Sequence, residues 1–153
     1  MNANEADMRP FEVLVGDWAT EATHPMLDGV VPGNVRFEWL DGGRFLIQRS
    51  WHDSDVVPNS ISVIGPPEDG DGLVMEYFDS RGVRRTYRTS LQDGVWRWWR
   101  DVPDFTQRFT AELAPDAFQG HGELARTPGD WGDDLDVSYR RTSSAPTTDG
   151  EPT

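Results

Sequence analysis

The chain lacks cysteine and lysine, and each absence excludes a kind of chemistry. Without cysteine there is neither a disulfide bond nor a thiol nucleophile. All 14 basic residues are arginine, so no mechanism can use a lysine nucleophile or a lysine Schiff base. The sequence also has no apolar run of about 18 residues, the length that a membrane-spanning helix needs. Residues 1–7 are polar and acidic, unlike a secretory signal, which favours a cytoplasmic protein.

Positive charge is scarce as well. The chain has 27 acidic and 14 basic residues and a formal net charge of −13 at pH 7. Because a surface of this sign repels phosphate groups, we expect neither nucleic acid nor a membrane as a partner. The acidic turn at residues 69–72 lacks the later ligands of a calcium loop, so no metal site is predicted. No motif of a familiar enzyme class is present, and whether the protein is an enzyme stays open.

Short aromatic and β-branched segments separated by turn residues predict an all-β fold. Arg9 to Val15 is the one segment that suits a helix, with Pro10 in its first turn and Gly16 to end it. Ten strands are predicted, at residues 17–24, 35–40, 44–52, 60–64, 73–79, 83–91, 95–101, 105–113, 118–125 and 134–141.

The connections between these strands are too short for parallel crossovers. Residues 41–43, 80–82 and 93–94 have the composition of hairpin turns. Such connections join antiparallel neighbours, and ten strands in sequence can hide their edges by curling into a closed sheet. We therefore predict a single antiparallel up-and-down β-barrel of about ten strands over residues 8–142, with a short N-terminal helix. A disordered Ser-, Thr- and Pro-rich tail follows at residues 143–153.

The segment Gly16-Asp17-Trp18, directly after the predicted helix, resembles the start of the calycins, the superfamily of lipocalins and fatty-acid-binding proteins. The resemblance implies that the helix closes one barrel end and that Trp18 packs there beneath an arginine of the last strand. Arg140 or Arg141 would supply that arginine, and Arg140 is our choice. An arginine in this position can stack on the indole while bonding nearby carbonyl groups.

Four segments carry a closer resemblance, to a family of uncharacterised bacterial lipocalin-like proteins. They are residues 14–18, 37–40, 42–46 and 77–83. The resemblance covers nearly the whole predicted domain and implies a fold more than an activity.

The predicted number of strands favours the fatty-acid-binding or nitrobindin-like branch of the superfamily. The nitrobindin comparison implies a haem held by a histidine near the end of the barrel. The last predicted strand has no histidine, so a haem would need His121, His52 or His24 instead. We therefore expect no cofactor, and haem is the alternative to test.

Tryptophans and arginines recur along the predicted strands. Successive strand residues face opposite sides, so Trp96 and Trp98 share one face while Arg97 and Trp99 share the other. These residues fit a cavity wall and a packed core about equally. The predicted wall consists of Trp39, Trp51, Tyr77, Tyr87, Trp99 and Phe109, and the predicted polar anchors are Arg49, Arg97 and His121.

Two histidine motifs are candidates for catalysis. His121 and Glu123 fall on the same strand face and form the best acid/base pair, although a bend in the strand explains the glycines beside His121 better. His52 precedes Asp53, but neighbouring strand residues point apart, and a surface loop explains this pair better.

The first hypothesis for function is a cytoplasmic protein that binds a small, mainly apolar molecule inside the barrel. The second is a cofactor-independent enzyme, such as an isomerase, cyclase or hydrolase, that uses the same cavity. A histidine or carboxylate directed inward beside the aromatic wall would favour the enzyme. The sequence predicts no oligomeric state.

Overall fold

A computed structural model describes residues 7–103 and 105–143. They form a short 3-10 helix, Arg9–Leu14, and ten strands. The strands are β1 (Gly16–Thr23), β2 (Val31–Trp39), β3 (Leu46–His52), β4 (Ser60–Gly65), β5 (Leu73–Asp79), β6 (Arg84–Gln92), β7 (Val95–Arg100), β8 (Thr106–Glu112), β9 (Ala117–Ala125) and β10 (Trp131–Ser143).

Each strand pairs antiparallel with the next one in the chain, and β1 pairs with β10 to close the sheet. The predicted single up-and-down barrel of ten strands with a short N-terminal helix is therefore confirmed. The β6–β7 turn shows why short connections suffice. Asp93 and Gly94 both adopt positive φ, 53° and 77°, as a two-residue type I′ hairpin requires.

Two strands extend more than one residue beyond their predicted limits. Pro32 and Gly33 fall between the predicted strands 17–24 and 35–40, but β1 and β3 flank them and hold them in β2. Strand β10 starts at Trp131 and contains a register shift between Asp133 and Asp136. Ser143, the first residue of the predicted tail, ends this strand, and the rest of that tail lies outside the described residues.

The barrel has two different ends, which we call the closed end and the open end. At the closed end the 3-10 helix inserts Phe11 and Leu14, both fully buried, against Trp18. The Trp18 indole Nε1 donates a hydrogen bond to the Leu14 carbonyl at 2.8 Å. The loops that join β1 to β2 and β3 to β4 lie at the opposite, open end.

The arginine over Trp18 is Arg141, and the choice of Arg140 was wrong. The Arg141 Cζ lies 4.2 Å from the indole centroid, and its two Nη atoms donate to the carbonyls of Val15 and Val13 at 2.8 and 2.6 Å. The reason is strand alternation. Buried Val137 and Tyr139 set the inward face of β10, so Arg141 faces in and Arg140 faces out.

Candidate functional site

The open half of the barrel encloses a cavity of ≈ 450 Å³. Inward-facing residues of β1, β3 and β4 are small and polar here: Thr20, Ser50 and Ser62 are all buried. In the closed half the same strands contribute Trp18, Leu46 and Ile64, which fill the interior. Because the inward side chains are smaller in the open half than in the closed half, a cavity remains there. The size of this cavity suits a small molecule.

Aromatic rings in contact with one another form one wall of the cavity. Trp98 stacks on Phe109, with centroids 4.7 Å apart and planes 8° from parallel. Tyr87 meets Trp98 edge-on at 4.7 Å, and Tyr77 meets Tyr87 edge-on at 6.4 Å. Rings locked in this way present a rigid apolar surface, which suits an apolar or planar ligand.

A chain of hydrogen bonds crosses the open end of the cavity. The Asp134 carboxylate accepts one bond from His24 Nε2 at 2.9 Å and another from Gln107 Nε2 at 3.1 Å. The Gln107 Oε1 in turn accepts from the Tyr87 hydroxyl at 3.0 Å. The donors and acceptors match along the chain, so the cavity can hold a carboxylate beside its aromatic wall.

The hydrogen bonds of His24 determine its tautomer. The backbone N–H of Met26 donates to His24 Nδ1 at 3.0 Å, so Nδ1 carries no proton and Nε2 is the donor to Asp134. Both ring nitrogens of His24 are therefore engaged. A histidine held in this way orients a carboxylate but has no free nitrogen with which to abstract a proton.

His52 differs from His24 because one of its nitrogens is free. Its Nδ1 lies 2.9 Å from the carbonyl oxygen of Pro58 and must be the donor, because a carbonyl can only accept. Among the residues that the structure describes, Nε2 of His52 has no hydrogen-bond partner. His52 lines the cavity, so its free nitrogen is available to a ligand or a metal ion.

The tyrosines of the cavity remain hydrogen-bond donors. Burial raises the pKa of the hydroxyls of Tyr77, Tyr87 and Tyr139. Tyr77 donates to Asp79 at 2.7 Å, and this contact raises its pKa further. Hydrogen bonds from Arg81 and Tyr77 hold the pKa of Asp79 far below its usual range. Asp79 is therefore charged, and it forms an ion pair with Arg81 at the open end.

The predicted wall and anchor residues separate into two groups. Tyr77, Tyr87 and Phe109 line the cavity. Trp39 instead packs against the core near the 3-10 helix, where its Nε1 donates to Glu12 at 3.0 Å. The predictions for Arg49 and Trp51 on β3, and for Arg97 and Trp99 on β7, were wrong, because these residues face outward.

The error on β3 has a physical cause. Gln48, Ser50 and His52 line the cavity, while Trp51 is 45% exposed on the outer face. The inner face of β3 is thus more polar than its outer face near the open end. The usual rule that apolar residues face inward fails where the interior is a cavity with polar groups rather than a packed core. On β7 the cavity residue is Trp98.

The predicted catalytic pair lies outside the barrel, which corrects the assignment of His121 to the cavity. His121 bonds Asp136 at 2.5 Å, and Glu123 accepts from Arg108 at 2.8 Å. The contact with Asp136 raises the pKa of His121. The neighbouring glycine has a packing role, because a Cβ at Gly120 would collide with the Phe109 ring.

Asp134 and Gln107 are polar cavity residues that the sequence predictions missed, as they missed Trp98. By strand alternation Asp134 would share the outer face with Asp136, Ser138 and Arg140. The register shift between Asp133 and Asp136 breaks this alternation and lets Asp134 line the cavity. Gln107 shares the inward face of β8 with Phe109, and this shared parity was a usable signal.

The described ranges contain neither a cluster of metal ligands nor a membrane-spanning helix. Within residues 7–103 and 105–143, no group of three or more histidine or acidic side chains is arranged to hold a metal ion. In that same part of the chain, no helix has the length and apolar character needed to cross a membrane.

The fold and the cavity define a closed ten-stranded antiparallel barrel with an internal site near one end. No family model matches the chain, and no curated protein matches it. Sixteen chains of solved structures do match. One is the crystal structure of Rv2717c from M. tuberculosis, with a TM-score of 0.61 and 13% sequence identity, covering 91% of this chain and 99% of that one. At this identity the likeness shows a shared barrel fold.

Proposed function

We propose that the protein binds one small, mainly apolar molecule inside the open half of its barrel. The observation that carries the proposal is a space of ≈ 450 Å³ walled by Tyr77, Trp98 and Phe109, in a sheet whose other half is filled. Protein interiors rarely leave a space of this size empty. An apolar wall with a few converging polar groups, here Gln107 and Asp134, is typical of ligand sites.

The proposal includes membership of the calycins and a cytoplasmic location. The first is supported by the 3-10 helix at the closed end and by Arg141 stacked on Trp18, the arrangement that the sequence resemblance implies. The second is supported by the absence of cysteine and by the acidic composition.

An uncharged aromatic probe, N-phenyl-1-naphthylamine, tests this function by fluorescence titration. It should bind at one saturable site. Ser62→Phe places a ring in the cavity from a position that is 4% exposed, and it should weaken binding about tenfold or more. Val63→Phe adds the same ring at the next, outward position of β4 and should leave binding unchanged. Equal binding by both variants, with folding verified by circular dichroism, would contradict the proposal.

Binding is better supported than catalysis. Both nitrogens of His24 and both oxygens of Asp134 already have hydrogen-bond partners, and His121 lies outside the barrel. An enzyme in this cavity would have to use His52 as its base.

Haem binding is a second candidate, and the free Nε2 of His52 is the observation that favours it. His52 Nε2 would hold the haem iron, and the aromatic wall would contact the flat macrocycle. Haem would supply an iron centre for binding a diatomic gas or transferring an electron. Added haemin should then produce a Soret shift that His52→Ala abolishes and His121→Ala retains. The absence of a shift would reject this candidate.

A further inference from the structure

Three arginines converge at the open end of the cavity. Arg85 and Arg100 occupy inward-facing positions at the open ends of β6 and β7, and Arg126 directly follows β9. Their Cζ atoms lie 5.0, 5.8 and 5.6 Å from the centroid of a single ring, that of Phe105. We call Arg85, Arg100 and Arg126 the arginine cluster.

The arginine cluster has no acidic partner within the described ranges. There, no carboxylate oxygen lies within 4.0 Å of any of these three guanidinium groups. The Nε of Arg100 is moreover buried and has no hydrogen-bond partner in this part of the chain. Buried donors are normally satisfied, so Arg100 Nε points to a missing acceptor.

The excess of acidic residues in the chain makes it unusual that the arginine cluster has no carboxylate partner within the described ranges. Acidic residues outnumber basic ones by 27 to 14, so a carboxylate is easily placed beside an arginine. Other arginines of the barrel do have such partners: Arg36 pairs with Asp17, Arg81 with Asp79 and Arg108 with Glu123. Three like charges around one ring repel one another, and an anion bound between them would remove that cost.

The arginine cluster borders the proposed ligand site. Arg85 lines the cavity, and the Cζ of Arg100 lies 6.0 Å from the centroid of the Tyr87 ring in the cavity wall. Asp134, the carboxylate among the cavity-lining residues, is bonded to His24 and Gln107. It is therefore engaged elsewhere and leaves these arginines without a counter-charge.

We propose that the arginine cluster binds the anionic group of the cavity's ligand. The ligand is then an amphipathic oxyanion. Its apolar body lies against Trp98 and Phe109, and its carboxylate, sulfonate or phosphate lies at the open end. Guanidinium groups bind two oxygen atoms of such anions at once through paired hydrogen bonds. This inference rests on the proposed function and adds the chemical class of the ligand.

Two fluorescent probes with nearly the same rings test the inference. 1-Anilinonaphthalene-8-sulfonate carries a sulfonate that N-phenyl-1-naphthylamine lacks. The sulfonate probe should bind about tenfold tighter at low salt, and added salt should reduce this advantage. Arg85→Gln and Arg100→Gln should each weaken the sulfonate probe about fivefold and the uncharged probe less than about twofold. Arg100→Lys keeps the charge but loses the paired hydrogen bonds, so it should weaken the sulfonate probe less than Arg100→Gln does and more than Arg84→Gln does.

Arg84→Gln is the matched control. Arg84 precedes Arg85 on the same strand, and its Cζ lies 5.4 Å from the ring centroid of Phe78 on the outer face. The substitution removes the same charge and the same kind of stacking without touching the cavity. An equal loss of sulfonate-probe affinity in Arg84→Gln would indicate a general charge effect and overturn the inference.

The remaining outcomes separate this inference from the proposed function. Unchanged sulfonate binding in Arg85→Gln and Arg100→Gln overturns the inference alone, provided that the uncharged probe still binds and still responds to Ser62→Phe. If neither probe binds, the proposed function fails and this inference with it. Competition of the sulfonate probe by 2-naphthoate or 2-naphthyl phosphate, with 2-naphthol as the neutral control, then distinguishes a carboxylate ligand from a phosphate ligand.

Discussion

The closed and open ends of this barrel are built from the same ten strands but differ in what fills them. At the closed end, Trp18 is fully buried between the 3-10 helix and the guanidinium of Arg141. At the open end, Thr20 and Ser62 occupy equivalent inward positions and leave the cavity beside Trp98. Tight packing closes one end, and small polar residues keep the other end available for a ligand.

The contrast implies that the closed end mainly stabilises the fold and that the open end mainly serves binding. Residues of the closed end contribute mainly to the free energy of unfolding, because each removed side chain leaves a void in a packed region. Residues that face the cavity already border empty space on one side, so their removal costs less stability and more binding.

The largest expected effect compares two inward-facing tryptophans, one fully buried and one partly buried. Trp18→Ala should lower the free energy of unfolding by about 4 kcal/mol, whereas Trp98→Ala should lower it by about 2 kcal/mol and also weaken the uncharged probe. Urea unfolding followed by circular dichroism measures both. Equal losses would mean that the cavity-facing wall is packed as tightly as the closed end, and the comparison would fail.

A smaller effect should separate two adjacent arginines at the closed end. Arg141→Gln loses the stacking on Trp18 and the bonds to the Val13 and Val15 carbonyls, which we expect to cost about 2 kcal/mol. Arg140→Gln changes an outward side chain and should cost less than about 0.5 kcal/mol. The urea unfolding midpoints of the two variants measure this difference. A greater loss of stability in the Arg140 variant would support Arg140 as the arginine that covers Trp18.

The smallest expected effect lies on the outer wall, which belongs to neither end. Asp136 raises the pKa of His121, with Glu123 and Asp133 adding to the shift. A raised folded-state pKa stabilises the fold below the unfolded pKa of about 6.5, and this stability is lost as pH rises through the folded pKa. Because the His121 side chain is 51% exposed, the contribution should be only a few tenths of a kcal/mol.

Unfolding of the protein and of His121→Gln at about pH 5.5 and about pH 9 measures this contribution. The stability difference between the two proteins should be larger at the acidic pH. A larger difference at the alkaline pH would contradict the assigned direction of the pKa shift.

The strand order and the closure of the barrel could be predicted because short turns leave few alternatives. Asp93-Gly94, for example, adopts the positive φ values that its composition predicts. Which residues of β3 face the interior could not be predicted. Arg49 and Trp51 alternate with Gln48 and Ser50, and neither set is purely apolar. Polar residues line the cavity there, which reverses the usual hydrophobic signal.

The candidate site depended even more on long-range structure. Asp134 reaches the cavity through the irregular register of β10, and it meets His24 across a separation of 110 residues. The arginine cluster likewise draws Arg85, Arg100 and Arg126 from three parts of the chain to Phe105. No spacing in the sequence signals these contacts, because they arise only when the sheet closes.

The all-β class, the ten strands and their antiparallel order could be predicted from the sequence alone, because local turn chemistry and short connections control these features. Tertiary structure alone decided which face of each mixed strand points inward, that Arg141 covers Trp18, and where the cavity lies. The physical reason is that the closure of the barrel and the irregularity in β10 set the direction of each side chain, and both depend on strands far apart in the chain.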